Sequence, residues 1–186
     1  MRINLPNGLT IARILMVPLM VIAFYLPFRG TNLIAAAMFT IAAITDWLDG
    51  YLARRYQQTS DFGAFLDPVA DKLAVTVALF LIVQADKTAL MAVTAAIIVG
   101  REITISALRE WMAAIGERTK VGVAWLGKVK TVVQMIAIII LLMQHRYVGK
   151  PLYWFSKTLL IAAAALTIWS AVVYLRAAWP AMRKKG

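Results

Sequence analysis

The chain has 186 residues, of which 62% are hydrophobic, and its mean hydropathy is +0.76. These values and the long apolar runs exclude an ordinary soluble domain, and they predict a single membrane domain covering residues 1–186. The net charge of +11 would suggest a nucleic-acid partner in a soluble protein. In a membrane protein, the distribution of the positive residues between the two sides of the membrane must be considered first, because it also determines topology.

Six apolar runs follow one another along the chain, and each can be extended to the roughly 20 residues that cross a bilayer. The sequence therefore predicts an all-α, polytopic membrane protein with six transmembrane helices. The short segment Arg2-Ile3-Asn4-Leu5-Pro6 is predicted to lie along the membrane interface ahead of the first helix. The runs centre on residues 14–28, 33–45, 72–85, 88–100, 129–143 and 158–175.

Alternating spans divide the basic residues unequally between the two sides of the membrane. Because Lys and Arg favour the cytoplasmic side, we expect both termini in the cytoplasm of a bacterial-type inner membrane. The excess also favours anionic lipid head groups and phosphates as partners, and we expect no nucleic acid. The basic side has Arg2, Arg54, Arg55, Arg118, Lys120, Lys128, Lys130, Arg176, Arg183, Lys184 and Lys185, and the other side has Arg29, Lys87, Arg146 and Lys150.

Four aspartates lie inside the extended spans. Asp46 and Asp49 are three residues apart, and Asp67 and Asp71 are four apart, so each pair projects from one face of a helix. With a rise of about 1.5 Å per residue, the two pairs lie at matching depths on either side of a polar connection. An ionised carboxylate in hydrocarbon is costly, so these residues are expected to share one polar site in the cytoplasmic half of the membrane.

Four carboxylates that close together repel one another unless cations lie among them. Two divalent ions would resolve the conflict, and oxygen ligands suit Mg²⁺, Mn²⁺ or Ca²⁺. The chain has no cysteine and only one histidine, His145, which disfavours zinc. A structural role as helix cap explains Asp61, beside Ser60, better than it explains the four aspartates within the helices.

The aspartates belong to a longer pattern of eight positions within 26 residues, which resembles the signature of the CDP-alcohol phosphatidyltransferases. Two flanking segments and the opening of the chain resemble the branch of that family that forms phosphatidylglycerophosphate. The pattern is Asp46-x2-Asp49-Gly50-x2-Ala53-Arg54-x8-Gly63-x3-Asp67-x3-Asp71. The other segments are Asn7-x2-Thr10-x2-Arg13, Arg101-Glu102 to Arg109-Glu110, and Gly127-Lys128-Val129-Lys130-Thr131.

The resemblance implies a homodimeric enzyme of six helices that transfers the phosphatidyl group of CDP-diacylglycerol to sn-glycerol 3-phosphate and releases CMP. It also implies that Asp46, Asp49 and Asp67 hold two divalent cations, Mg²⁺ or Mn²⁺. Asp71 is implied to lie beside the metals and to deprotonate the hydroxyl of the acceptor.

The resemblance further implies a CDP-diacylglycerol site along the first three helices. Gly50 and Ala53 would let the cytidine approach the helix backbone, although close helix packing also favours small residues. Arg54 would contact the CDP phosphates or act as an interfacial anchor, and Asn7 would meet the nucleotide or serve as an N-cap. The predicted set is Asn7, Thr10, Arg13, Asp49, Gly50, Ala53, Arg54 and Gly63.

An acceptor with its own phosphate requires cations close to the metals but separate from them, and arginine suits phosphate oxygens. An internal salt-bridge network of Glu102, Ser106, Arg109 and Glu110 is an alternative role for part of this set. The residues predicted to bind glycerol 3-phosphate are Arg101, Arg109, Arg118, Lys128 and Lys130.

Two alternative functions fit parts of the same sequence. The same chemistry could use another acceptor, such as serine, inositol phosphate or phosphatidylglycerol. A divalent cation transporter, the alternative outside enzymes, would need polar residues that continue to the outer face. The outer halves of the spans are almost purely apolar, which disfavours transport.

Overall fold

The computed structural model describes residues 5–56, 61–114 and 125–185, and these ranges are entirely helical apart from short turns. The prediction of an all-α protein is confirmed for these residues. Within the described ranges there are seven helices: α1 (Leu5–Tyr25), α2 (Thr31–Tyr56), α3 (Asp61–Asp86), α4 (Ala89–Ala114), α5 (Trp125–Met143), α6 (His145–Val148) and α7 (Lys150–Lys185).

The predicted interfacial segment is only partly described. Residues 2–4 lie outside the described ranges, whereas Leu5 and Pro6 form the first turn of α1. The first turn of a helix accepts proline, because an amide in that turn has no partner within the helix.

The six long helices close a ring in the order α1, α2, α5, α7, α4, α3 and back to α1. Helix α3 also contacts α2 and α5, so it lies nearest the centre of the bundle. Alanines at the buried faces of α2 and α3 allow the close approach of helices that is common in membranes, for example Ala35, Ala36, Ala74 and Ala78. The bundle is thereby held by close packing rather than by large side chains alone.

Three of the described helices are long and apolar enough to cross a membrane, within Gly8–Tyr25, Ala89–Ala114 and Lys150–Arg176. The apolar parts of α2 and α5, Thr31–Asp46 and Lys130–Met143, are shorter. Charged residues interrupt α3 at both ends of its apolar run, which shortens the uninterrupted stretch. The outer surface is apolar even so, and large side chains such as Leu15, Leu19 and Ile22 of α1 are more than half exposed.

A tight turn joins α3 to α4 and is fixed by an ion pair from α7. Lys87 adopts a left-handed backbone conformation with φ of 52°, and the Thr88 hydroxyl donates to the Asp86 carboxylate. Lys157 Nζ lies 2.8 Å from Asp86 Oδ2, and the Tyr153 hydroxyl donates to the same oxygen at 3.0 Å. Both charged side chains are buried, with 7% of Lys157 and 5% of Asp86 exposed.

The pair sets the ionisation of Asp86, which lies just beyond the apolar run of α3. Burial by itself would raise the pKa of this carboxyl, but the hydrogen bonds from Lys157, Thr88 and Tyr153 outweigh burial and lower the pKa below its usual value. A depressed pKa in the folded state means that the ionised carboxylate stabilises the fold. That stabilisation is present above the unfolded pKa and is lost as the pH falls through the folded one.

We expect Lys157→Ala to lower the free energy of unfolding by about 3 kcal/mol, because it leaves a buried carboxylate without its cation. The melting temperature in detergent should fall by roughly 5 to 10 °C. Lys150→Ala, at an exposed position in the first turn of the same helix, is the control and should change the melting temperature little. The wild-type protein should also lose stability as the pH falls below about 4. Equal melting temperatures for the two variants would contradict this role of the ion pair.

Candidate active site

A buried arginine joins the first three helices. Arg13 of α1 is 1% exposed, and its Nη1 donates to Asp46 Oδ1 of α2 at 2.7 Å and also to Asp71 Oδ1 of α3. The two carboxylates are 42% and 47% exposed, so each keeps part of its surface open. A guanidinium suits this position because its several N–H groups can serve two carboxylates at once.

A second contact lies one turn away and fixes the register of α1 against α3. The Thr10 hydroxyl donates to Asp67 Oδ1 at 2.7 Å. Thr10 and Arg13 are three residues apart, while Asp67 and Asp71 are four apart, so a polar edge of α1 runs alongside a polar edge of α3. The two helices therefore run in the same direction with matched depth.

The structure describes the side chains of three of the four aspartates that are predicted to converge. Asp46 and Asp71 meet at one cationic group, and Asp67 lies a turn away against α1. Asp49 belongs to α2, but its side chain lies outside the described residues. Among the side chains that are described, no group of three acidic, histidine or cysteine residues is already arranged to hold a metal ion.

A cavity of about 690 Å³ opens beside Asp46 and Asp71. Every long helix contributes to its wall, and three of the predicted acceptor-binding residues, Arg101, Arg109 and Lys130, line it together with the two aspartates. The lining residues lie in the middle parts of the helices, for example Asp71 to Thr76 within α3. The cavity therefore lies within the bundle, with acidic and basic walls.

Arg101 is held in this wall by two helices. Its Nη1 donates to Glu102 Oε1 at 2.9 Å, and its Nη2 donates to Ser170 Oγ of α7 at 3.1 Å. The Ser170 hydroxyl in turn donates to the Thr167 carbonyl at 2.9 Å. The buried Nε of Arg101 has no hydrogen-bond partner among the described residues. The guanidinium is thus oriented but keeps donor capacity for a ligand in the cavity.

The other two cations differ in how they are supported. Arg109 lies over the ring of buried Tyr174, with its Cζ 5.5 Å from the ring centroid, which is within the range of a cation–π contact. Lys130 of α5 is close enough to Arg101 and Glu102 to interact electrostatically with both. The alternative network of Glu102, Ser106, Arg109 and Glu110 is not seen among the described ion pairs, in which Glu102 pairs with Arg101.

The remaining predicted site residues are placed less fully. Gly63 is buried near the start of α3. Arg118 falls in residues 115–124, outside the described ranges. The others lie on described helices, but their side chains do not belong to the described part of the structure: Asn7 of α1, Gly50, Ala53 and Arg54 of α2, and Lys128 of α5.

Several polar residues of the cavity wall are not among the residues that the sequence predicts. Gln134 of α5 lies one turn beyond Lys130, while Ser170 and Tyr174 of α7 support the arginines. Gln134 and Ser170 each interrupt an otherwise apolar run, so the signal that could have identified them was a lone polar residue within a span. Which helix each one faces follows only from the packing.

Comparison with known families agrees with this geometry. The family model described as CDP-alcohol phosphatidyltransferase matches residues 3–169. The chain belongs to the CDP-alcohol phosphatidyltransferase family. The match covers the eight-position pattern on α2 and α3, so the resemblance drawn from those residues is confirmed.

Curated members of the CDP-alcohol phosphatidyltransferase family are similar over nearly their whole length. A protein of Haemophilus influenzae is 51% identical over 178 residues, which cover 96% of this chain and 95% of that protein. One from Sodalis glossinidius is 49% identical, covering 96% of both chains, and one from Pseudomonas fluorescens is 48% identical, covering 98% and 94%. Each is named CDP-diacylglycerol–glycerol-3-phosphate 3-phosphatidyltransferase.

We expect Arg13→Gln to destabilise the protein in detergent that contains no divalent cation. The substitution leaves Asp46 and Asp71 facing each other without their shared positive charge, at a cost of about 2 kcal/mol. Arg13→Lys should recover part of the lost stability, because lysine restores the positive charge but not the planar guanidinium with its several N–H donors. The melting temperature measures the effect, and Arg29→Gln, at an exposed position, is the matched control. A similar fall in both glutamine variants would refute a specific role for Arg13.

Proposed function

We propose that this protein transfers the phosphatidyl group of CDP-diacylglycerol to sn-glycerol 3-phosphate, giving phosphatidylglycerophosphate and CMP. The observation that carries the proposal is the shared cavity that unites Asp46 and Asp71 with Arg101, Arg109 and Lys130. The acidic wall suits a metal-assisted reaction at phosphorus, and the basic wall suits the phosphate of the acceptor. The names of the similar proteins from three bacteria support the same substrates.

Two divalent cations, Mg²⁺ or Mn²⁺, fit the donors on α2 and α3. The contact of Arg13 with both Asp46 and Asp71 supports this, because carboxylates from two helices reach one positive group there. We assign Asp46, Asp49, Asp67 and Asp71 as the metal-holding residues, since carboxylate oxygens are the preferred ligands of hard cations. When bound, such ions would neutralise negative charge on the pyrophosphate oxygens and on the departing CMP.

The chain's own residues then perform three tasks. Arg101, Arg109 and Lys130, with Arg118 and Lys128 of the predicted set, bind the acceptor phosphate. The carboxylate of Asp71 accepts the proton of the acceptor's primary hydroxyl as its oxygen attacks the phosphatidyl phosphorus. The bond from that phosphorus to the bridging oxygen of the pyrophosphate breaks, and CMP leaves with the electron pair. Arg13 donates to Asp71 and so fixes the orientation of the base.

The CDP part of the lipid substrate is assigned to the edge formed by α1, α2 and α3. Thr10 and Arg13 lie on this edge in contact with the aspartates, which supports a nucleotide position next to the metals. We include Asn7, Asp49, Gly50, Ala53, Arg54 and Gly63 in the same site on the basis of the family signature. The acceptor then approaches from the opposite wall, formed by α4, α5 and α7.

The proposed setting is the bacterial-type cytoplasmic membrane, with six spans formed by α1 to α5 and α7. The Lys and Arg residues of the sequence cluster around the connection from α2 to α3 and the connection from α4 to α5, and near the end of α7. Basic loops favour the cytoplasm, so the proposal assigns the site and both termini to that side. The functional unit is proposed to be a homodimer of a single domain, residues 1–186, with membrane lipids and no nucleic acid as partners.

The acceptor is tested with purified protein, CDP-diacylglycerol in mixed micelles and Mg²⁺ or Mn²⁺, by measuring CMP release. We expect release with sn-glycerol 3-phosphate to exceed that with serine, inositol phosphate or phosphatidylglycerol by at least about 100-fold. Serine has no phosphate, phosphatidylglycerol has only a diester, and inositol phosphate is bulkier than glycerol 3-phosphate. Chelation of the divalent cations should abolish release. Equal rates with serine would refute this choice of acceptor.

The role of the base is tested with Asp71→Asn. An amide cannot accept the hydroxyl proton, so kcat should fall by about 10²- to 10⁴-fold while the protein stays folded. Glu110→Gln is the matched control, since it makes the same acid-to-amide change at an exposed position of α4 that does not line the cavity. Folding of both variants is checked by melting temperature and gel filtration. Turnover close to wild type in Asp71→Asn would remove Asp71 from the mechanism.

A further inference from the structure

One buried polar side chain in the cavity wall has no hydrogen-bond partner in the described part of the chain. Gln134 of α5 is 7% exposed and lines the cavity, yet its amide makes no hydrogen bond with any of the described residues. The amide atoms are not among the fully buried, unpartnered atoms of the described residues, so part of the amide remains exposed. A polar group in so apolar a surrounding is stabilised when it gains a hydrogen-bond partner. The amide is therefore available to a molecule that enters the cavity.

Two neighbouring polar groups, Ser170 and Glu102, already have partners. Ser170 accepts from Arg101 and donates to the Thr167 carbonyl, and Glu102 pairs with Arg101. Gln134 is different, because its carbonyl oxygen and its NH₂ group can both bind a ligand. An uncharged group that can donate and accept matches an alcohol hydroxyl better than it matches a phosphate.

The position of Gln134 relates it to both walls of the cavity. It lies four residues after Lys130, on the same face of α5 and roughly 6 Å farther along the helix. Lys130 and Arg101 belong to the wall assigned to the acceptor phosphate, whereas Asp71 faces the same cavity from α3. A ligand that bridges these two walls passes the face of α5 on which Gln134 lies.

We propose that Gln134 hydrogen-bonds the middle hydroxyl of glycerol 3-phosphate and so determines acceptor specificity. This inference rests on the proposed function. The three carbons of the acceptor carry, in order, the attacking hydroxyl, the middle hydroxyl and the phosphate. With the phosphate at Arg101 and Lys130 and the attacking hydroxyl at Asp71, the middle hydroxyl faces the wall that contains Gln134. The cations recognise any phosphate ester, whereas the amide distinguishes those with a hydroxyl at the second carbon.

The test compares two acceptors, sn-glycerol 3-phosphate and 3-hydroxypropyl phosphate. The second keeps the attacking hydroxyl and the phosphate but lacks the middle hydroxyl. The wild-type protein should use it with a kcat/KM lower by at least about tenfold, because the amide is then left unpaired. In Gln134→Met the two acceptors should be used about equally. The KM for CDP-diacylglycerol should stay within about twofold of wild type, since the nucleotide lipid binds elsewhere.

Two further variants make the result specific. Thr94→Val also removes a buried polar group, but the Thr94 hydroxyl donates to the Leu90 carbonyl of its own helix, so acceptor preference should stay as in wild type. Gln134→Asn keeps the amide on a shorter side chain and should retain part of the preference. Gln134→Asn also serves as the test variant if Gln134→Met does not fold.

The outcomes separate this inference from the proposed function. If wild-type protein releases CMP with glycerol 3-phosphate but uses both acceptors equally, the role of Gln134 is wrong and the proposed function stands. A preference that persists unchanged in Gln134→Met likewise refutes the role of Gln134 alone. No CMP release with either acceptor would instead overturn the proposed function itself.

Discussion

The structure depends on how a bundle with an apolar surface accommodates opposite charges in its interior. Arg13 is almost fully buried and lies between Asp46 and Asp71, so its charge is matched by carboxylates from two other helices. Removing one member of such a group leaves a buried charge without a partner. The free-energy cost of that unpaired charge is larger than the net stabilisation that the intact group provides. The interaction thereby fixes the relative depth of α1, α2 and α3, and Thr10 with Asp67 fixes it a second time.

The two walls of the cavity carry opposite charges. The acidic wall comes from α2 and α3 and the basic wall from α4 and α5, with α7 supporting the basic side through Ser170 and Tyr174. A cavity that collects both signs can hold a substrate whose reacting hydroxyl and phosphate need opposite environments. The order of helices around the ring produces this separation, because α4 and α5 are both neighbours of α7.

Much of this arrangement could be predicted from the sequence. The three- and four-residue spacings predict that the aspartates of each pair share one helix face, because helical geometry is local. The cost of a carboxylate in hydrocarbon predicts that these faces turn inward. The membrane class follows from composition, whereas the choice of Arg101, Arg109 and Lys130 depends on the phosphate-bearing acceptor that the family resemblance implies. The sequence predicts six spans, whereas three described helices have the length and apolarity to cross, since charges near the site shorten the apolar runs of the others.

The unpredicted features are contacts between helices distant in sequence. The family pattern assigns Arg13 to the nucleotide, but the structure places its guanidinium between two aspartates that are 33 and 58 residues away. Gln134 and Ser170 resemble isolated polar residues in apolar runs, and only the packing shows that both line the cavity. Such pairings depend on the rotation and depth of whole helices, which no local pattern specifies.

The buried pair of Lys157 and Asp86 has a consequence for the opposite end of α7. This helix continues without a break from Lys150 to Lys185, and Ser170 lies about 20 Å beyond Lys157 along its axis. If the pair acts as a pivot, a rotation of about 5° there would move Ser170 by roughly 2 Å, enough to break its contact with Arg101. Residues far from the cavity would then influence turnover by changing the orientation of the Arg101 guanidinium, even where the protein remains folded.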